Sequence, residues 1–391
     1  MRIAHVAKCI SMNQIVLNQM AHQRARGHEV FALCPDEAEW TEAIKARGIE
    51  VIDVPYHGHS KLAACVAALK TWFACLTRRF DVVHTHNALP GVTGRIAARL
   101  AGVPVVLHTW HSWPARLPRP WYVMLGFALL EPLATAAADA VLFLNPDDLA
   151  VWSAMRGVAA RKARLIGNGI NVEEFAQRLQ PGARARIRRE FGIGEDCYLL
   201  VKVARMEHPR KGHFFLLEGL KRFRELSRRE VAALLVGAGD DEEVVRAEAK
   251  RLGLEDVVRF PGYRRDIPDV VAAADVSVLT SPFEGVPRAL MESMALGVPV
   301  LGTDVPGTRM LVRPGESGML VQQGDVEGLA AALLQLSEDP ALAKRLGEGG
   351  RRRVHEKFNE PDVAARILRI YEHSLNDGGR PLPHFDVEAE S

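Results

Sequence analysis

Two glutamates with seven residues between them, Glu284 and Glu292 in PFEGVPRALMESMALGVPV, form the most chemically suggestive spacing in this 391-residue chain. Glu284 falls in a loop leaving the apolar run 276–279, and Glu292 falls about 7 Å further along if 287–296 is helical. Carboxylates so placed could grip a polyhydroxylated ligand, while the open N–H groups near residues 286–289 could meet a phosphate or another charged oxygen. The plainer alternative is a loop ion pair and a solvated helix glutamate. VARMEHPRKG adds Arg205, Arg210 and Lys211 at another strand end, where fixed positive charge could neutralise a diphosphate leaving group. A solvated basic turn before a helix is the competing reading, and Gly212 beside Lys211 would let backbone approach closely. His84, His86, His108 and His111 lie at or just past two more strand ends. No carboxylate or cysteine completes a zinc spacing around them, so they read either as core or surface histidines or as hydrogen-bonding groups. In the second case His111 would donate to a substrate hydroxyl or carbonyl.

The elements that must position these residues alternate between strand and helix. In the first half, strands are expected at 3–7, 29–32, 50–54, 82–84, 105–107 and 140–144, with helices between them. After a glycine-rich, charged stretch the series restarts, with strands at 198–203, 232–236, 257–260, 276–279 and 298–301 and a short one at 318–321. Pro287 suits a first helical turn and Gly297 a left-handed stop. Two rounds of this alternation predict an α/β protein with two doubly wound parallel sheets, and argue against one eightfold barrel. The expected division is a first Rossmann-like domain at 1–175, a crossover at 176–196, a second domain at 197–360, a last amphipathic helix at 361–375 and a disordered tail at 376–391. Dinucleotide binding is disfavoured, because KCISMNQ after the first strand has no glycine and GAG at 237–239 lacks the fingerprint.

The net charge is +2, distributed as 23 Lys or Arg against 15 Asp or Glu in residues 1–190 and 27 against 33 beyond them. A basic first half suits an anionic membrane surface or acceptor, and no zinc-finger or helix-turn-helix pattern favours nucleic acid. Aromatic residues stand beside arginines at 71–80 and 110–127, as at a headgroup interface, although Trp packed on a sheet would look the same. The apolar region 121–144 is broken by Glu131, Pro132 and Asp139, so a membrane span is not expected. Cys9, Cys34, Cys65, Cys75 and Cys197 lack CxxC spacing and read as small core residues in a reducing compartment.

Taken together, FEGVPRALMESMALGVPVLGTDVPGTRMLV, GESGMLV, VARMEHPRKG, GNGIN, LLVGAGD, VRFPGY and DVVHTHNALPGVTGRIAARLAGVPVVLHTWH resemble the retaining, nucleotide-sugar-dependent glycosyltransferases of family 4 (group 1). The likeness covers about residues 1–375 and is strongest to enzymes of capsule, O-antigen and lipid-linked oligosaccharide synthesis. It implies the GT-B fold, two Rossmann-like domains facing across a cleft, with a C-terminal helix returning to the first. It implies that Arg205 and Lys211 hold the diphosphate, that Glu284 meets the transferred sugar, and that Gly285, Val286 and Pro287 belong to the donor-binding set. Glu292 would meet the ribose, the base would rest near Tyr263 and Arg264, and His111 would lie near the reaction centre. The implied reaction is metal-independent transfer of a hexose or N-acetylhexosamine from a nucleotide sugar, UDP-linked, to a glycan or polyprenyl-diphosphate-linked acceptor. The implied setting is bacterial surface polysaccharide or lipopolysaccharide synthesis, in the cytoplasm or at the inner membrane face. Alternatives are a nucleotide-sugar epimerase or hydrolase, or a non-catalytic nucleotide-sugar-binding protein. One departure stands out: Ser11, Met12 and Asn13 replace the glycine pair common after the first strand.

Overall fold

The computed structural model describes residues 1–8, 14–56, 61–111 and 121–376. The Ser11–Asn13 loop, the tail after 376 and residues 112–120 of the aromatic stretch therefore lie outside the described residues.

The first unit runs β1 (Arg2–Val6), α1 (Gln14–Ala25), β2 (Glu29–Cys34), α2 (Ala38–Lys45), β3 (Glu50–Asp53), α3 (Lys61–Arg78) and β4 (Val82–His86). It continues with α4 (Ala88–Leu100), β5 (Val105–Trp110), α5 (Trp121–Ala137), β6 (Ala140–Phe143), α6 (Pro146–Arg156) and β7 (Ala163–Leu165). Its seven strands are parallel in the order β3-β2-β1-β4-β5-β6-β7. β4, β5 and β6 are buried along their whole length; β6 is an unbroken apolar run, and the apolar starts of β4 and β5 run on into buried His and Thr side chains.

The second unit opens with α7 (Val172–Gln177) and α8 (Ala183–Glu190), followed by β8 (Tyr198–Val203), α9 (His213–Leu226), β9 (Val231–Val236), α10 (Glu242–Arg251) and β10 (Val258–Gly262). Then come α11 (Ile267–Ala273), β11 (Val276–Leu279), α12 (Arg288–Ala295), β12 (Val300–Thr303), α13 (Pro306–Leu311), β13 (Met319–Val321), α14 (Val326–Glu338) and α15 (Pro340–Lys357). Its sheet is β10-β9-β8-β11-β12-β13, again parallel. One face packs Leu216, Leu220 and Phe223 of α9 with Leu329 and Leu333 of α14, and the other packs Ile187 of α8 with Val270 and Val271 of α11.

The last helix, α16 (Glu360–Asn376), belongs to the first unit, which comprises residues 1–168 together with 360 onward. Val363, Ile367, Ile370 and Tyr371 are buried, and Asn18 of α1 donates to Glu360 at 2.9 Å. The boundary thus falls at Gly169 rather than 175. The stretch expected as a crossover, 176–196, is instead part of the second unit, because Ile187 and Ile193 have side chains in its core. This also changes the charge reading. Arg184, Arg186, Arg188 and Arg189 are on α8, and the first three pair with Asp275 and Asp269 of the same unit. Residues 1–168 alone hold 18 Lys or Arg against 12 Asp or Glu, a weaker excess than the 1–190 division suggested.

Glu131, which breaks the apolar pattern of α5, sits wholly buried against wholly buried Arg95 of α4. Both carboxylate oxygens accept from the guanidinium, at 3.1 and 2.6 Å, and Thr135 adds a hydroxyl donor. Cys34, Cys75 and Cys197 are buried, as expected of core residues, whereas Cys65 is exposed. Among the described residues no helix is long and apolar enough to cross a membrane.

Candidate active site

In the second sheet the strand order reverses between β8 and β11, where two crossovers leave in opposite directions and open a crevice beyond the strand ends. The loops carrying Lys211 and Glu284 leave these two strands. Lys211 Nζ lies 2.8 Å from Glu284 Oε1, with side chains 20% and 13% exposed. Desolvated to this degree, the pair is a poised cation and carboxylate rather than a surface decoration.

Close backbone contacts hold the pair. Gly212 has φ +61°, and a Cβ there would stand 1.9 Å from the Thr280 carbonyl oxygen. Gly237 and Gly239 would meet the carbonyls of Ala204 and Met206 at 2.0 and 2.4 Å, and Gly307 that of Gly285 at 2.0 Å. Beneath the loop, the fully buried Lys202 of β8 donates to the Lys211 carbonyl and to Thr280 Oγ1, both at 2.6 Å. Thr280 Oγ1 donates on to the Gly212 carbonyl at 2.6 Å. Burial, with Lys211 adding to it, brings the Lys202 ammonium down to about 7. His213 bonds the Arg205 carbonyl through Nε2 at 2.9 Å; burial and nearby Lys202 lower it to about 3, so it is neutral.

In the first unit, histidines gather at the carboxyl ends of β1, β4 and β5. His86 Nδ1 lies 3.2 Å from His111 Nε2, and His5 Nδ1 lies 3.0 Å from His86 Nε2. His84 bonds Tyr371 of α16 and Thr109 of β5, at 2.6 and 2.7 Å. His5, His84 and His86 are close enough for a shared cation, yet each of their six ring nitrogens stands in a hydrogen bond to a ring, hydroxyl or amide.

These two sites lie on a chain whose residues 183–353 match the model for glycosyl transferases group 1, and whose residues 12–169 match the glycosyl transferase 4-like domain. The chain is 30% identical over 340 residues to the D-inositol 3-phosphate glycosyltransferase of Kribbella flavida, covering 80% of this chain and 77% of that one. The chain belongs to the group 1 glycosyltransferases. It is also 28% identical over 295 residues, 75% of each chain, to the UDP-Gal:alpha-D-GlcNAc-diphosphoundecaprenol alpha-1,3-galactosyltransferase of Escherichia coli. The Anabaena protein Alr3699/HepE, solved in complex with UDP and glucose, shares the fold at TM-score 0.81 and 20% identity over 94% of this chain and 98% of that one. The lipopolysaccharide glycosyltransferase WaaG does so at 0.76 and 20%, over 94% and 99%. Both sheets are those of a GT-B glycosyltransferase.

Within this glycosyltransferase the expected site residues fall into place unequally. Lys211 and Glu284 are in contact. Arg205 lies on the Lys211 loop but turns to Glu207 at 3.1 Å and is half exposed. Glu292 pairs with Arg288 one turn earlier at 3.0 Å; burial raises its carboxyl, and Arg288 partly offsets that. Gly285, Val286 and Pro287 are buried, and Pro287 caps α12 from an extended conformation rather than opening its first turn. Tyr263 is 62% exposed just past β10, and the Gly262 carbonyl accepts from Gly237 N at 2.9 Å, so this loop does border the glycine-lined crevice. Arg264, by contrast, is held by Asp266 and Glu190, which leaves its guanidinium serving the α8 contact. Lys202, Thr280 and Tyr371 carry no motif and were not singled out; the one available signal was a lysine interrupting the apolar run YLLVKV.

Two expected outcomes follow from the packing around the Lys211 loop. Gly212→Ala must displace either the Lys211 loop or the end of β11, at a cost of about 1–3 kcal/mol. Thermal unfolding should register that cost, and turnover should fall further than stability. Lys202 titrates lower in the folded chain than its ordinary 10.5, so from about pH 7 toward 10 the unfolded chain binds the extra proton and stability from this group rises with pH. Lys202→Met should therefore be most favourable relative to wild type below pH 7 and lose that advantage toward pH 10, as read by denaturant unfolding across pH.

Proposed function

We propose that this glycosyltransferase moves a hexose or N-acetylhexosamine, with retention of configuration, from a UDP-sugar to a lipid-linked glycan acceptor, without a metal ion. The observation that carries this reading is the Lys211–Glu284 contact at the switch point of the second sheet. Two cations, Lys211 and Arg205, stand on one loop leaving β8, where they can take up the negative charge that grows on a departing diphosphate. Glu284 orients the lysine and accepts hydrogen bonds from sugar hydroxyls, and Glu292 does the same for the ribose. On the retaining path, the anomeric carbon–oxygen bond to diphosphate breaks, the acceptor oxygen bonds to that carbon on the same face, and the acceptor proton leaves with the diphosphate oxygen. The protein's contribution is charge stabilisation and orientation, with His111 hydrogen-bonding a substrate hydroxyl.

The UDP-complexed Anabaena protein and the Escherichia coli galactosyltransferase, whose name specifies a diphosphoundecaprenol acceptor, support the choice of donor and acceptor. Support for a membrane location comes from the first unit's surface. On α3, Val66, Leu69, Phe73 and Leu76 make an exposed apolar stripe at helical spacing, as do Leu125, Leu129, Leu130 and Leu133 on α5. Trp110 and Phe80, expected at the headgroups, are instead core residues at 2% exposure.

The test is a screen of UDP-, GDP- and ADP-sugars against polyprenyl-diphosphate-linked acceptors, with nucleotide release, anomeric configuration and EDTA sensitivity as readouts. UDP release that requires acceptor, an α product from an α donor and indifference to EDTA are expected. Release without acceptor, or an inverted product, overturns the proposal. Co-sedimentation with vesicles should weaken in a Leu69→Ser/Phe73→Ser variant, and unchanged binding removes the surface from the account.

A further inference from the structure

Among the described residues, a run of hydrogen bonds leads from His111 into the interior of the first unit through groups that can both donate and accept. His111 Nε2 meets His86 Nδ1 at 3.2 Å, His86 Nε2 meets His5 Nδ1 at 3.0 Å, and His5 Nε2 meets Gln23 Oε1 at 2.8 Å. The Gln23 amide nitrogen donates to the Tyr371 hydroxyl at 3.3 Å, as does Gln19 Nε2. Tyr371 in turn lies 2.6 Å from His84 Nδ1. His5, His84, His86, Gln23 and Tyr371 are all buried to within 1%.

Burial brings His5 and His111 down to about 4 and holds His84 and His86 well below their ordinary value. At neutral pH these rings are therefore uncharged, and a neutral imidazole has one N–H and one lone pair. Each ring that accepts on one side must donate on the other, so fixing any one link fixes them all.

The fixed link is at Tyr371. Its oxygen receives two amide N–H groups, so its single proton goes to His84 Nδ1. Gln23, having turned its NH2 to Tyr371, presents Oε1 to His5 and requires His5 Nε2 to carry a hydrogen. His5 Nδ1 then accepts from His86 Nε2–H, and His86 Nδ1 accepts from His111 Nε2–H.

The geometry points to a tautomer lock: Tyr371, Gln23, His5 and His86 are positioning residues that hold His111 as its Nε2–H form, with Nδ1 as the ring's acceptor. A substrate hydroxyl meeting this ring through Nδ1 is then bound by its own hydrogen, the opposite sense to the donor role expected from sequence. A substrate hydroxyl so held is a non-reacting one, oriented by its own hydrogen, while the attacking acceptor hydroxyl keeps its proton for the diphosphate oxygen. The catalytic half of this inference rests on the proposed placement of His111 at substrate; the tautomer assignment does not.

The deciding experiment is a long-range 1H–15N correlation spectrum of the full chain labelled at histidine, with signals assigned by single substitutions. Nε2–H patterns for His5, His86 and His111 are expected in wild type. An Nδ1–H pattern at His111 or a mixture of the two forms overturns the lock, whatever the activity. Tyr371→Phe, which keeps the ring and removes the hydroxyl, should give a mixed pattern at His111 and lower kcat roughly 3–10-fold with donor KM unchanged, the effect of one hydrogen bond. An unmixed pattern in that variant also overturns the proposal. If wild type shows the Nε2–H form but His111→Ala transfers sugar normally, the lock stands and the placement of His111 at substrate fails.

Discussion

Lys211→Ala is expected to lower transfer by roughly 10²–10³-fold, the scale on which a single preorganised charge donor acts in a transition state. The same change should cost the fold little. Lys211 is 20% exposed, its backbone carbonyl still accepts from Lys202, and Glu284 keeps access to water. Steady-state kinetics with a UDP-sugar, set beside a thermal melt, separates the two effects. A melting shift large enough to explain the lost turnover would return Lys211 to the status of a structural ion pair. Glu284→Gln is the companion: it keeps the shape and one hydrogen bond to Lys211 but removes the charge that orients it.

The largest stability effect is expected in the first unit. Glu131→Leu takes the buried carboxylate away from the wholly buried Arg95 guanidinium, and breaking a pair of this kind costs about 3–5 kcal/mol. For a unit of this size that corresponds to a fall of roughly 10 °C or more in its unfolding transition. The double variant Arg95→Met/Glu131→Leu should recover most of the loss, because two apolar side chains can fill the same space without stranding a charge. Calorimetry of the two variants distinguishes a pair that stabilises from one that merely must not be broken.

How much of this could be read before the fold was known depended on how local each feature is. The parallel sheets were legible because their strands are covered on both faces and so appear as short apolar runs between helices. β7 was not, since ARL is three residues with a charge in the middle and gains strand character only by pairing with β6. Glu284 and Lys211 were legible as loop residues at the ends of two separate strands, and Gly212 as a close-approach position, while the adjacency of those strands was not. The contact between Lys211 and Glu284, 73 residues apart, was not, and neither were the partners that make Glu131 and Lys202 tolerable inside the protein. Arg264 shows the opposite failure. A basic residue just past a strand end suits a nucleotide site, yet two carboxylates hold its guanidinium. Single-sequence patterns report burial and turn chemistry but not which long-range partner satisfies a polar group.

The hydroxyl of Tyr371 and the buried face of α16 complete a unit that the first strands began, with the whole of the second unit encoded in between. On the ribosome the chain emerges from its N-terminus, so β1 to β7 must wait, with His84 lacking its phenol partner and the surface later covered by Ile367 and Ile370 open to water, until the whole second unit has been made. The second unit can fold while the first is still unfinished, which makes the N-terminal half the part most dependent on holding chaperones during synthesis. A chain that stopped just before Tyr371, with both sheets already encoded, would damage the beginning of the molecule more than its end.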